Sequence, residues 1–101
     1  MTPRRANRID TNQPEIVEEL REMGYKVLNI SSLKNCCDLL VSDGIRLELI
    51  EVKNPETCRG IAEMAQEERE RFLTEGEAIF ADSFRVWIVI SADEVHEIFV
   101  R

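Results

Sequence analysis

Residues 38–53, DLLVSDGIRLELIEVK, decide how this chain is read. Two apolar runs flank an Asp43-Gly44 pair. Such a pair between β-forming residues is a strong hairpin signal, because a two-residue primed turn needs positive φ and these residues tolerate it. The ends of the hairpin are charged where a buried strand should be apolar: Asp38 opens it, and Glu51 and Lys53 close it. With Asp43-Gly44 as the turn, Ser42 faces Ile45, Leu40 faces Leu47 and Asp38 faces Leu49. Opposed residues share a face, as do alternate residues along a strand. Asp38, Glu51 and Lys53 are therefore expected on one face, with Asp38 diagonal to Glu51 at about 7–8 Å. That register assumes a regular ladder, since a single bulge would turn Asp38 to the other face.

The chain has 101 residues, enough for one domain with one modest core. Its 44% hydrophobic and 33% charged residues describe a globular protein, not a disordered one. No apolar run is long enough for a transmembrane helix, and the N-terminus (MTPRRANRID) lacks the apolar core of a signal peptide, so no membrane partner and a cytoplasmic location are expected. Cys36, Cys37 and Cys58 are odd in number with two adjacent, which is no disulfide framework. With no CxxC and His96 the single histidine, they do not suggest zinc either. The net charge of −7 argues against a nucleic-acid partner as an average, but it is concentrated late. Residues 1–60 carry −1 and residues 61–101 carry −6, while Arg4, Arg5 and Arg8 stand in the first nine residues without an acid.

Residues 1–12 are expected to form a basic N-terminal arm, and residues 13–101 a single domain. A first helix over residues 14–23 has Pro14 in its first turn, an apolar stripe of Ile16, Val17, Leu20 and Met23, and Gly24 beyond its end. Residues 25–30 (YKVLNI) read as a strand, followed by a loop and then the hairpin. Asn54-Pro55 ends the hairpin. Residues 61–72 have helical propensity but few apolar positions, and Glu67 and Arg71 are spaced as an i,i+4 pair on a solvated face. TEGE at 74–77 fits a capping box that starts a helix through residue 82, and SADE at 91–94 fits another before a short last helix. FRVWIVI at 84–90 is apolar on both parities, which predicts a strand covered on both faces and central in its sheet. The predicted order is α-β-β-β-α-β-α, a mixed α/β domain.

The hairpin carries the chemistry. Mg²⁺ takes hard oxygen ligands, often one or two carboxylates plus waters and a substrate phosphate. Asp38 and Glu51 would supply the carboxylates, with the Val52 backbone carbonyl in reach. Lys53 would hold the attacking water and stabilise charge on the phosphorus centre. The spacing fits metal-assisted phosphodiester hydrolysis. A Glu-x-Lys on a strand is ordinarily a solvated face or an ion pair. Here Leu47 and Leu49 lead the same face, so the charges continue a surface that should be packed.

Asp38 followed by Glu51-Val52-Lys53, after a leading helix and before a helix–strand pair, resembles the PD-(D/E)XK nuclease superfamily. The nearer likeness is to its viral and phage branch, the VRR-NUC (virus-type replication-repair nuclease) domains and Holliday-junction-resolvase-like proteins. Arg8-x-Asp10-x-Asn12, IVEELREMG at 16–24, CDLLV at 37–41, LIEVK at 49–53 and Leu73-Thr74 carry the resemblance over nearly the whole chain. It implies a restriction-endonuclease-like core, a mixed sheet flanked by helices, with residues 13–101 as the nuclease domain. It makes Asp38, Glu51 and Lys53 catalytic, with Mg²⁺ or Mn²⁺ as cofactor. It adds Glu15 of the first helix to the metal shell, although Asn12 and Glu15 fit an N-cap with an acidic N3 residue equally well. Cys37 stands where the family usually has proline, and Glu77 where related phage proteins tend to have glutamine. A capping role is the reading for Glu77.

The implied substrate is branched DNA such as a Holliday junction, cut by a homodimer in a host cytoplasm, since a junction has two strands related by a two-fold. Arg4, Arg5, Arg8, Lys34 and Arg59 are candidate phosphate contacts. Two other functions stay open: a nuclease fold that no longer cleaves and binds DNA or protein, with Glu51 and Lys53 as an ion pair, and a nuclease on flap or single-stranded DNA. The cysteines are read as packed thiols, His96 as a surface or capping residue and Trp87 as core.

Overall fold

A computed structural model describes residues 11–99. The arm over residues 1–12, with Arg4, Arg5 and Arg8, therefore lies almost wholly outside the described residues. The elements are α1 (Gln13–Glu22), β1 (Lys26–Asn29), β2 (Leu39–Ser42), β3 (Leu47–Val52), α2 (Gln66–Arg69), α3 (Glu75–Ser83), β4 (Val86–Val89) and α4 (His96–Phe99). Short 3₁₀ turns cover Ile61–Glu63, Glu70–Phe72 and Ala92–Val95. The four strands form one mixed sheet in the order β1-β2-β3-β4. β1, β2 and β3 are antiparallel neighbours, and β4 runs parallel to β3. A parallel neighbour needs a crossover, which α2 and α3 supply. Among the described residues no helix is long and apolar enough to cross a membrane.

Strand alternation divides the core between the two faces of the sheet. On the first, Val27, Leu39, Val41, Ile50, Val52 and Val89 pack under Ile16 and Leu20 of α1, with Val95 and Ile98 from the C-terminal turns. On the second, Ile88 and Ile90 pack with Cys58 and Ile61, and Phe72 and Leu73 close over them. Consecutive residues Ile88 and Val89 thus enter different clusters, so β4 is covered on both faces as its unbroken apolar run predicts. Its position is different from the prediction. β4 is an edge strand, not a central one, because among the described residues it pairs with β3 alone.

Two further expectations are corrected. The hairpin turns at Gly44-Ile45, one residue later than predicted. Asp43 N–H donates to the Arg46 carbonyl at 3.3 Å, and Leu40 pairs with Leu49, not Leu47. The cause is φ: Gly44 is at +98°, whereas Asp43 is not at positive φ. A primed turn with one positive-φ residue takes glycine first. Asp43 sits just outside, where Oδ1 accepts from the amides of Ile45 at 2.9 Å and Arg46 at 2.7 Å.

Residues 61–72 do not make one helix. Met64 and Ala65 are extended, and Arg69 turns inward at 4% exposure. Its Nε donates to the Ile61 and Met64 carbonyls, both at 3.2 Å, and Ile61 also accepts the Met64 amide at 3.0 Å in its 3₁₀ turn, so a guanidinium serves carbonyls where the helical ladder stops. Arg71 falls in the 3₁₀ turn beyond α2, and the expected continuous helix face with Glu67 does not form.

Candidate functional site

The start of β2, the end of β3 and the first turn of α3 converge on one group of side chains. Asp38 stands just before β2. Its amide donates to the Ile50 carbonyl at 3.1 Å, and its Oδ2 accepts the Val52 amide at 2.7 Å. The ladder is therefore irregular here. The carboxylate occupies a strand-pairing position beside Glu51, where a regular register would set it on the sheet face. Oδ1 accepts from Ser31 Oγ at 3.2 Å, and Ser31 Oγ in turn accepts from Gln13 Nε2 at 3.3 Å. Gln13, at 2% exposure, thus ties α1 to the Asp38 carboxylate.

Glu51 is buried at 4% exposure on the second face, paired in register with Ile88. Lys53 follows two residues on. Its amide donates to the Val89 carbonyl at 3.0 Å, and its own carbonyl accepts from Asn12 Nδ2 at 3.0 Å. Asn12 Nδ2 also reaches the Ile90 carbonyl at 2.8 Å, pinning the ends of β3 and β4 to the start of α1. The N-cap reading of Asn12 is thereby corrected: its side chain makes no cap bond, and the amide is turned so that Nδ2 meets the two strand-end carbonyls while Oδ1, the acceptor a cap would use, has no partner among the described residues.

The Lys53 ammonium lies 3.4 Å from Glu51 Oε2 and 3.2 Å from Glu77 Oε1. Glu77 does close the predicted capping box, its Oε1 accepting the Thr74 amide at 3.0 Å while Thr74 Oγ1 accepts the Glu77 amide at 3.2 Å. Gly76 lets α3 come this close. A Cβ there would run into the Asn35 side chain, whose own Cβ would be 3.0 Å away. Asn35 is itself at φ +55°, the one non-glycine residue at positive φ among the described residues.

The electrostatics follow from three carboxylates and one ammonium in a space with little water. Burial, then the Asp38 and Glu77 carboxylates, push the Glu51 carboxyl up to about 9, with Lys53 pulling the other way. Glu51 is thus a proton donor to Glu77 at neutral pH. Burial would also raise Glu77, but the Thr74 amide, the Lys53 ammonium and the Glu51 proton outweigh it and hold Glu77 below the usual carboxylate range. Burial disfavours the Lys53 charge, yet Glu51 and Glu77 together keep its pKa above the ordinary value. Cys37, buried next to Asp38, is pushed up to about 12 by burial and by Cys36 and the carboxylates, so it is no nucleophile.

Asp38, Glu51, Val52 and Lys53 are thus neighbours. Glu15 is exposed on α1, and among the described residues no three acidic, histidine or cysteine side chains are gathered around a common metal position. The residues still fit Mg²⁺ or Mn²⁺ in kind. Asp38 and Glu51 are hard oxygen donors, Mg²⁺ needs only one or two with waters completing its shell, and the crowding that keeps Glu51 protonated is what a cation would relieve. Lys34 and Arg59 are exposed on the loops before β2 and after β3. His96 is a surface residue, 2.6 Å from Glu19 Oε2. Trp87 is half-buried against the first cluster, its Nε1 donating to Glu48 at 2.8 Å.

Sequence reasoning missed Gln13, Ser31 and the second contact of Glu77. Gln13 and Ser31 carry no sequence signal. The capping box accounts for Glu77 within its own segment, so nothing in the sequence signals its contact with Lys53. No protein-family model matches this chain, and no curated protein or solved structure matches it either.

Proposed function

We propose that the chain is a Mg²⁺- or Mn²⁺-dependent endonuclease acting on structured DNA, with a four-way junction as the substrate and two copies making the paired cuts. The observation that carries this reading is the meeting of Asp38, Glu51 and Lys53 at the start of β2 and the end of β3, with burial and the neighbouring carboxylates keeping Glu51 protonated at neutral pH. The sequence resemblance to PD-(D/E)XK nucleases supplies the reaction class.

Asp38, Glu51 and the Val52 carbonyl would hold the ion. When bound, the ion offsets charge on the scissile phosphate and lowers the pKa of water. Asp38 is oriented for this by the Val52 amide and Ser31. Lys53 is held charged between Glu51 and Glu77, so it presents a donor to a phosphate oxygen or to the attacking water.

The test is cleavage of four-way junction, flap, duplex and single-stranded DNA with Mn²⁺, beside calorimetric titration of Mn²⁺. Wild type is expected to cut the junction, and Asp38→Ala to lose both cleavage and metal binding. Cleavage by Asp38→Ala and Lys53→Ala at the wild-type rate would sink the assignment. Preference for flap or single-stranded substrates would favour that alternative. One observation favours an inert binding module: Lys53 already has two carboxylate partners, as a purely structural ion pair would. Absence of both metal binding and cleavage would establish it.

A further inference from the structure

The sheet has two edges, and the chain treats them oppositely. On β4 the outward groups are closed by side chains. Ile88 N–H donates to Gln66 Oε1 at 2.8 Å, and the Ile88 carbonyl accepts from Gln66 Nε2 at 3.0 Å and Arg69 Nη1 at 2.7 Å. The Ile90 amide donates to Glu94 Oε1 at 3.0 Å. The Gln66 amide stands where a fifth strand would, so nothing can add there.

β1 is the other edge. Ile30 N–H donates to the Asp38 carbonyl at 2.8 Å, so residues of its parity, Lys26 and Leu28, carry the bonds to β2. Val27 and Asn29 turn their amides and carbonyls outward. Among the described residues, the one group reaching them is Arg21, whose Nη2 donates to the Val27 carbonyl at a long 3.5 Å. Between this edge and α1 lies an open cleft of about 590 Å³, lined by Pro14, Val17, Glu18, Arg21, Val27 and Asn29.

We propose that two copies of this chain pair β1 against β1, antiparallel about a two-fold at Leu28, into one continuous eight-stranded sheet. The register is fixed by which groups point outward. A two-fold through Leu28 lets Val27 of each copy exchange both hydrogen bonds with Asn29 of the other, four in all. A two-fold through residue 27 or 29 pairs only one of the two. Leu28 then faces the Leu28 of the second copy as a non-hydrogen-bonded pair, with Cα atoms about 4.5 Å apart and side chains in closest contact. Leu28 is 60% exposed in the single chain, so this contact covers apolar surface.

The charges fit a second copy as well. Arg21 is exposed between Glu18 and Glu22 on α1. Two-fold pairing sets the α1 helices antiparallel on one side of the joined sheet. It gives the Val27 carbonyl to a strand amide and leaves Arg21 free to reach Glu18 of the other helix. The strand edge is self-complementary, as an isologous interface must be. The pairing stands on strand geometry and does not depend on the nuclease reading.

Sedimentation velocity over a range of concentrations, with disulfide trapping, tests it. Wild type is expected to dimerise. Leu28→Cys is expected to trap a covalent dimer on mild oxidation, while wild type with its three native cysteines, and Leu47→Cys, do not. Leu47 is a control because it is 67% exposed on the same sheet face but off the two-fold. Leu28→Lys, which sets two ammonium groups on the axis, is expected to weaken the dimer at least tenfold while circular dichroism and the melting profile of the monomer stay unchanged. A wild type that is monomeric at every concentration overturns the proposal. So does a dimer that Leu28→Lys leaves intact, or trapping at Leu47 and not at Leu28, which would put the contact on the open sheet face. Metal binding at Asp38 is read separately, so neither result decides the other.

Discussion

Lys53 Nζ stands 3.2 Å from Glu77 Oε1, the same oxygen that receives the Thr74 amide at 3.0 Å. One carboxylate oxygen thus closes the N-terminus of α3 and fixes the end of β3. The cap of a helix and the geometry of the candidate site are one contact, and what disturbs either is felt in both.

Glu77→Gln separates the two roles. The amide oxygen can still accept from Thr74, so the helix start is kept, but a negative charge beside Glu51 and Lys53 is lost. Glu77 is one cause of the raised Glu51 pKa, so the Glu51 carboxyl is expected to titrate below about 9 in this variant. Carboxyl-carbon NMR titration reads that shift. Glu77→Ala removes the cap as well and is expected to cost about 1–2 kcal/mol in urea unfolding.

The pH dependence of stability follows from Glu51. Its carboxyl is raised from 4.5 to about 9, so between those values the folded state binds more protons than the unfolded state. Stability from this group is full below about pH 4.5 and is lost as pH rises through about 9. The slope approaches about −1.4 kcal/mol per pH unit between the two pKa values where no other group compensates. Glu77, with a lowered pKa, acts oppositely at the acid end, losing its contribution as pH falls. Urea unfolding from pH 5 to 9 is expected to show the alkaline decline, and Glu51→Gln to flatten it. On the proposed function, Mn²⁺ bound by Glu51 would displace its proton, so binding is expected to tighten as pH rises, with proton release visible in calorimetry in buffers of different ionisation enthalpy.

Gly76→Ala tests the seat of α3. Its new Cβ has no room against Asn35, so the loop or the helix must shift, at an expected cost of about 1–3 kcal/mol. Asn35→Gly keeps the left-handed backbone and removes the obstructing side chain. The double variant is expected to recover most of the loss, and a double-mutant cycle by chemical denaturation measures that coupling.

Arg69 holds together what the sequence left unconnected. At 4% exposure it is bidentate on Glu94, at 2.9 and 2.8 Å, and donates to the Ile88 carbonyl. The Glu94 partner is the main reason its pKa is raised further. Arg69→Ala is expected to cost about 3–5 kcal/mol in urea unfolding, because it leaves Glu94 without its guanidinium partner and takes one donor from each of the Ile61, Met64 and Ile88 carbonyls. Arg69→Lys is expected to rescue little, because an ammonium cannot reproduce the bidentate fork.

The faces of the hairpin were legible early because side-chain alternation has period two. The turn moved by one residue, from Asp43-Gly44 to Gly44-Ile45, and that shifted the pairing by two, which leaves every side chain on its predicted face. Glu51 and Lys53 therefore stayed on one surface. The departure at Asp38 was not legible, because it depends on a carboxylate taking the Val52 amide in place of a backbone carbonyl.

The sequence by itself determined the four strands and the helices that lead and close them, the capping box at Thr74, the two-sided burial of β4 and the shared face of Glu51 and Lys53. All of these rest on local φ/ψ preference or on periodicity along one strand. Tertiary structure alone decided that β4 lies at an edge, that Arg69 breaks the predicted helix, that Asn12 clamps two strand ends and that Glu77 reaches Lys53. Each of those joins groups distant in the chain, and no spacing within one segment records which buried carbonyl or charge a polar side chain will satisfy.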